Sequence, residues 1–350
     1  MAIKYLSGKR IQGTAAEIPN IGGVTGWTEL GRTTLSSAGD TIDVTGLSTA
    51  NYPYLMVLQN EIGSGSITGF TSFNADSGSN YAYRTSENGA SDGTSTSQAN
   101  IRLDRGTPNN FIVANISNKA DQEKIVIGSC VGIGAAGASN APQRWEAVGK
   151  WANTSDSITS VKISNASSGD FASGSECVVL GAGATGGGAT SVWQELADVS
   201  LSSGADTLDT TSFTSKKYLW IQAFIPEGAG HHGYIYFNND TGANYARRGS
   251  ANGGTDFTTA PDNELNCTHD TNTAKYINLF VINVSDKEKL CVGEYMDSGS
   301  AGAGNSTNRI EWAYKWANTS AQISSVKLYN NQASSNDFPS GTTLKVWGFD

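Results

Sequence analysis

The chain contains nearly the same passage twice. Residues 73–89 read FNADSGSNYAYRTSENG and residues 237–253 read FNNDTGANYARRGSANG, agreeing at 11 of 17 positions. A shared taste for Ser, Asn and Gly does not explain this, because Phe73, Tyr81 and Arg84 keep their register with Phe237, Tyr245 and Arg248. The correspondence extends well beyond the passage. Trp27-Thr28-Glu29-Leu30 answers Trp193-Gln194-Glu195-Leu196, and KWANTS occurs at both 150–155 and 315–320. EKIVIG from Glu123 answers EKLCVG from Glu288, and Asp170-Phe171 answers Asp337-Phe338. A near-constant offset over such a length means one structural unit built twice. The units span 23–181 and 192–350. A glycine-rich linker, 182–191, lies between them, and residues 1–22 form an N-terminal arm that belongs to neither copy.

Within each unit, short apolar runs of alternating character recur between turn residues. YLMVLQ, NFIVANIS, EKIVIG and SVKIS are examples in the first copy, and YLWIQAF, YIYFN, INLFVINVS and TLKVWGF in the second. Period-two patterning bounded by Gly, Asn, Asp and Ser predicts strands, and no run shows helical spacing with a cap. The expected fold class is therefore all-β. Two tandem antiparallel β-sandwiches, jelly-roll-like in size and each of about ten strands, follow the extended arm. The low charged fraction, 16%, suits such a domain, whose outer positions and turns use hydroxyls and amides. Cys130, Cys177 and Cys291 occupy places filled by apolar residues in the other copy. That makes them buried free thiols rather than disulfide partners.

Several motifs have both a chemical and a structural reading. Asn74, Asp76, Gly78 and Asn80 alternate as calcium ligands do, but each copy offers one carboxylate and lacks the bidentate Glu. The pattern reads better as a hairpin turn, with Asp76, Asn80, Arg84 and Glu146, and Asp240, Asn244, Arg248 and Glu311, as polar support for the fold. Arg84 and Arg248 are expected to pair with carboxylates such as Glu146 and Glu311. GIGAAG at 132–137 has dinucleotide-fingerprint spacing, yet a strand-like run follows it instead of the required helix. The three histidines, His231, His232 and His269, read as solvated loop residues without the further ligands that a metal site needs. Trp151 and Trp316 could stack on sugar rings, the alternative being core anchors. No nucleophile–base set occurs in both copies. The reading is of a non-enzyme with no catalytic residues, no metal and no cofactor.

A net charge of −9 argues against a nucleic-acid surface, which needs clustered Lys and Arg. No apolar stretch reaches the length of a membrane span, and MAIKYLSGKRIQG has no secretory leader pattern. The motif F-N-x-D-x-G-x-N-Y, at 73–81 and 237–245, is followed by closing segments at 158–181 and 323–348. Together they resemble virion surface proteins of tailed viruses that infect marine bacteria and archaea. That resemblance implies a decoration, knob, fibre or tail-appendage protein. It would be assembled in the host cytoplasm, displayed on the virion, joined to other virion proteins through the arm, and homo-oligomeric, a trimer being the expected form. The alternative is a carbohydrate- or receptor-binding module that recognises a host surface glycan.

Overall fold

The computed structural model describes residues 26–350 except 105, 183–190, 229–230, 269–271, 300–302, 304–305 and 332–336, and the backbone of two paired strands, Lys4–Leu6 and Lys9–Ile11. The rest of the arm, nearly all of the linker and His269 lie outside the described residues.

Each unit pairs an eight-stranded sheet with a four-stranded one, and all pairings are antiparallel. From edge to edge, the first large sheet runs Thr28–Thr34, Glu176–Ala182, Tyr54–Ile62, Asn109–Ser117, Lys124–Gly132, Gln143–Trp151, Tyr81–Glu87, Gly93–Gln98. Its small partner runs Thr41–Val44, Val161–Asn165, Gly69–Phe73, Ile101–Arg102. The second unit repeats this order, from Gln194–Ser200 and Thr343–Phe349 at one edge of its large sheet to Phe257–Asp262 at the other. Even the irregularities repeat. The register slips at Val179/Leu180 and at Glu195/Ala197 on the same strand pair, and again at Tyr81/Tyr83 and Tyr245/Arg247. The fold is thus two tandem all-β sandwiches, and all four cysteines are free and buried. Among the described residues no helix is long and apolar enough to cross a membrane.

The first unit's small-sheet strands alternate, as in the burial of Ile42 and Val44 between exposed neighbours, whereas Gly233–Phe237 of the second is buried throughout. The central strands of the large sheets do not alternate either. From Leu55 to Glu61 every residue is buried, where alternation was expected. Both faces of these strands are covered, and a strand covered on both faces becomes a continuous apolar run. Leu55, Val57, Ile112, Ala114, Val126 and Val179 point inward to the small sheet. Met56, Leu58, Phe111, Val113, Val131 and Val178 point outward, onto Tyr218, Leu290, Val292 and the aromatic group of Trp193, Phe280 and Phe349 in the second unit. The Phe111 and Tyr218 rings lie 6.2 Å apart across this seam. Each apolar side chain withdrawn from water there contributes about 1.5–3 kcal/mol, so the two large sheets share a third core.

Charges border the seam. Arg144, almost wholly buried, lies 2.5 Å from Asp256 of the second unit and also pairs with Glu146, with Glu311 at 3.5 Å. Lys315 Nζ donates to Ala135 O at 2.7 Å and stands 3.7 Å from Glu288, whose carboxylate accepts the Gly137 amide at 2.6 Å. A Lys217–Glu176 pair at 2.9 Å closes the far side.

Because the units share buried surface, they should unfold together. Calorimetry is expected to show one cooperative transition for the native chain. Val292→Asp, which places an uncompensated charge in the seam, should split it into two, with the lower midpoint reduced by several degrees.

Candidate functional site

The start of the repeated passage forms a tight turn but not the expected hairpin: Gly69–Phe73 lies in the small sheet and Tyr81–Glu87 in the large one, so the chain crosses between sheets here, as it does between Gly233–Phe237 and Tyr245–Ala251. Asn74 and Ala75 both have positive φ, 52° and 54°, and Asn238 and Asn239 repeat these values within a degree. Two consecutive left-handed residues turn the chain tightly out of the small sheet, closed by Asp76 N donating to Phe73 O at 2.9 Å and Asp240 N to Phe237 O at 3.0 Å. Asp76 then acts as a hub. Its Oδ1 accepts the Gly78 amide at 2.8 Å, its Oδ2 accepts Trp151 Nε1 at 2.7 Å, and Asn80 Nδ2 bridges both oxygens. Asp240 holds Gly242, Trp316 and Asn244 in the same way, with Trp316 Nε1 at 2.8 Å. Below each turn, a tyrosine hydroxyl receives a backbone amide, Phe73 N on Tyr81 and Phe237 N on Tyr245. Burial works against the Asp76 charge, but the hydrogen bonds from Trp151, Asn80 and Gly78 outweigh it and hold the carboxyl below its usual range. N–H donors thus occupy both oxygens of the carboxylate.

Trp151 and Trp316 are each about 1% exposed. Neither presents a ring face to a sugar, and the stacking role gives way to the core-anchor one. Trp151 stacks on Tyr81 at 6.2 Å, while the Lys124 ammonium sits 5.6 Å above its ring. Lys124 Nζ donates to the carbonyls of Ala120, Gln122 and Asn153, and Lys289 repeats this with Ser285, Lys287 and Asn318. Burial pushes the Lys289 ammonium down to about 8. These lysines were not identified from sequence, although the repeated Glu-Lys before IVIG and LCVG marked them.

Other placements differ from expectation. Arg84 pairs with Asp92 at 3.3 Å rather than with Glu146, and both partners are about half exposed. Arg248 Nε donates to Pro142 O of the first unit at 2.8 Å and lies 3.6 Å from Asp256. Glu146 and Glu311 instead converge on Arg144, while Arg309 also holds Glu311. His231 is fully buried, with Nδ1 2.8 Å from Lys275 Nζ and Nε2 3.1 Å from Pro226 O, and so is no solvated loop residue. His232 Nε2 is 3.0 Å from Asn266 Oδ1. GIGAAG ends the strand Lys124–Gly132 and docks on the second unit through Gly137.

Two features are specific to the tertiary structure. The first is a cleft pocket of about 230 Å³ between the large sheets, where Arg84, Asp92 and Glu146 meet Glu294, Arg309 and Glu311. Burial, with the charge of Glu146, raises the Glu311 carboxyl above its usual value. The second is a buried polar end in the first sandwich. Glu61 Oε2 accepts Asn110 Nδ2 at 3.2 Å, and Asp104 Oδ2 accepts the Gly69 amide at 2.7 Å. Burial, then the neighbouring Asp104 charge, pushes Glu61 well up.

No protein-family description and no curated protein matches this chain. Among solved structures it is similar to the LG1-3 region of the laminin alpha2 chain, at 8% identity and a TM-score of 0.21. That match covers 88% of this chain and spans 64% of that one. It is also similar to domains LG4-5 of the mouse laminin alpha1 chain, at 10% identity and a TM-score of 0.18, covering 96% of this chain and 92% of that one. Overlaps this low carry no argument about function.

Two measurements test the site. Asp76→Ala should cost about 1.5–3 kcal/mol by chemical denaturation, because it leaves the Trp151 indole N–H buried without an acceptor; Asp240→Ala should cost a similar amount. Glu61 has a raised folded value, so its contribution is fully present below the ordinary glutamate range and is lost as pH rises. The native chain should therefore gain stability from pH 7 to 5.5 relative to Glu61→Gln, by up to about 1.4 kcal/mol per pH unit.

Proposed function

We propose that this chain is a non-enzymatic structural component of a particle surface, of the virion-appendage kind that its twin motif resembles. In this reading two sandwiches form one stiff projection and the arm fastens it to other virion proteins. One observation carries the reading. The polar set written twice (Asp76, Asn80 and Trp151; Asp240, Asn244 and Trp316) is used in both copies to hold the turn between the two sheets to its own core. A pair of identical active sites would instead present those groups to a substrate.

A second reading, a carbohydrate- or receptor-binding module, is favoured by residues that are not twinned. On the small sheet of the second unit, Tyr236 and Tyr329 lie 5.8 Å apart, and His232 packs on Tyr234 at 4.6 Å. The Tyr236 hydroxyl donates to Glu264 at 2.6 Å. The first unit has Phe70, Ser72 and Ser164 where the second has Tyr234, Tyr236 and Tyr329, so the fold does not require this aromatic set. Side chains that one copy can do without are where recognition would sit.

The test is a chain lacking residues 1–22. Under the first reading it stays folded and no longer joins particles; normal incorporation would overturn the arm's role. Binding of the full chain on a glycan array, reduced at least tenfold by Tyr329→Ala with His232→Ala, would favour the second reading instead.

A further inference from the structure

Eight large apolar side chains stand exposed among the described residues, and seven of them fall on two patches that the internal symmetry relates to the buried seam. On the first unit these are Tyr54, Ile125, Ile127 and Val148, between 47 and 59% exposed. Strand pairing places them where the second unit has Tyr218, Leu290, Val292 and Ala313, all at 4% or less because the first unit covers them. On the second unit the patch is Phe224, Tyr276 and Met296, between 39 and 44% exposed. These match Asn60, Phe111 and Val131, the buried residues that the first unit contributes to the seam. The seam is therefore head-to-tail. It uses one half of the contact surface of each unit and leaves the complementary half of each open.

The charges follow the same rule. Across the seam Arg144, already paired with Glu146, meets Asp256, already beside Arg248. The cleft beside the open patches carries the same two halves ready-made, Arg309 with Glu311 on the second unit and Arg84 with Asp92 on the first, although Glu311 also reaches Arg144. Lys150 and Glu123 pair in solvent at 2.9 Å, at the positions where Lys315 and Glu288 grip the 133–137 turn. Apolar patches this concentrated mark an interaction surface, and both the shape and the charge of these two are already solved by the chain itself.

We propose that a second copy of this chain covers them. The Tyr54–Val148 wall of one protomer docks on the Phe224–Met296 wall of another, repeating the seam. Tyr276 then meets the partner's Tyr54 as Phe111 meets Tyr218, and Arg309 meets the partner's Asp92 as Arg144 meets Asp256. A head-to-tail contact of this kind closes into a ring when its rotation permits and otherwise extends.

The experiment mixes two variants that each add one exposed cysteine to the four buried ones, Tyr54→Cys and Tyr276→Cys, with a short bismaleimide, and reads mass. A cross-linked pair from the mixture, and not from either variant alone, is the expected result. Sedimentation of the native chain should show association, weakened about tenfold or more by Ile127→Glu. Asp92→Arg and Arg309→Asp should each weaken it, and the two together should restore it. A monomer at about 100 μM with no cross-link would overturn the proposal. So would a cross-link that forms only within one chain carrying both cysteines, since the cleft would then close on itself.

Discussion

The structure depends on the two-sided burial of its large sheets. A four-stranded sheet covers only the inner face of an eight-stranded one, and the outer face of the central strands is as apolar as the inner. Met56, Phe111 and Val131 would leave a broad greasy surface if the first unit stood alone. The second unit covers it and in doing so hides Tyr218, Leu290 and Val292 of its own. Neither sandwich is self-sufficient. The arrangement of the chain follows from that shortage of cover more than from the linker between the units.

Much of this was legible in the sequence, for a definable reason. Duplication exposes whatever the fold needs, so two tandem sandwiches, the all-β class and the free cysteines followed from comparing the chain with itself; the tight turn after Phe73 was legible too, but not that it joins two sheets instead of closing a hairpin. What escaped were interactions between the copies, because a contact made once leaves no repeat. Arg144 carries no sign in sequence that its partner is Asp256, 112 positions on. The pairing expected of Arg84 with Glu146 failed for the same reason: those residues lie on neighbouring strands, but the seam pulls Glu146 toward Arg144. His231 was misplaced because glycines around it suggested a loop, whereas its ring fills a position held in the first unit by the core residue Ile67.

Twinned and untwinned residues thus answer different questions. Asp76 with Trp151, and Lys124 against the same indole, recur because each sandwich must lock the turn between its sheets against its own core. Glu61 with Asp104 in one copy, and His231 with Lys275 in the other, occupy the same end of the fold with unrelated chemistry. Selection on folding alone keeps the first kind alike and lets the second kind drift. Recognition is therefore sought among the second kind and at the open cleft between the sheets.

The lysine–glutamate pair shows how little was needed to join the copies. Lys150 with Glu123 sits in water, where such a pair contributes at most about 1 kcal/mol; its counterpart, Lys315 with Glu288, is enclosed and clasps a neighbouring backbone turn. The same two side chains serve as solubilising ornament in one copy and as mortar in the other. A lineage that doubles such a module inherits its adhesive along with its bricks, so a longer array could arise by repetition without inventing a new joint.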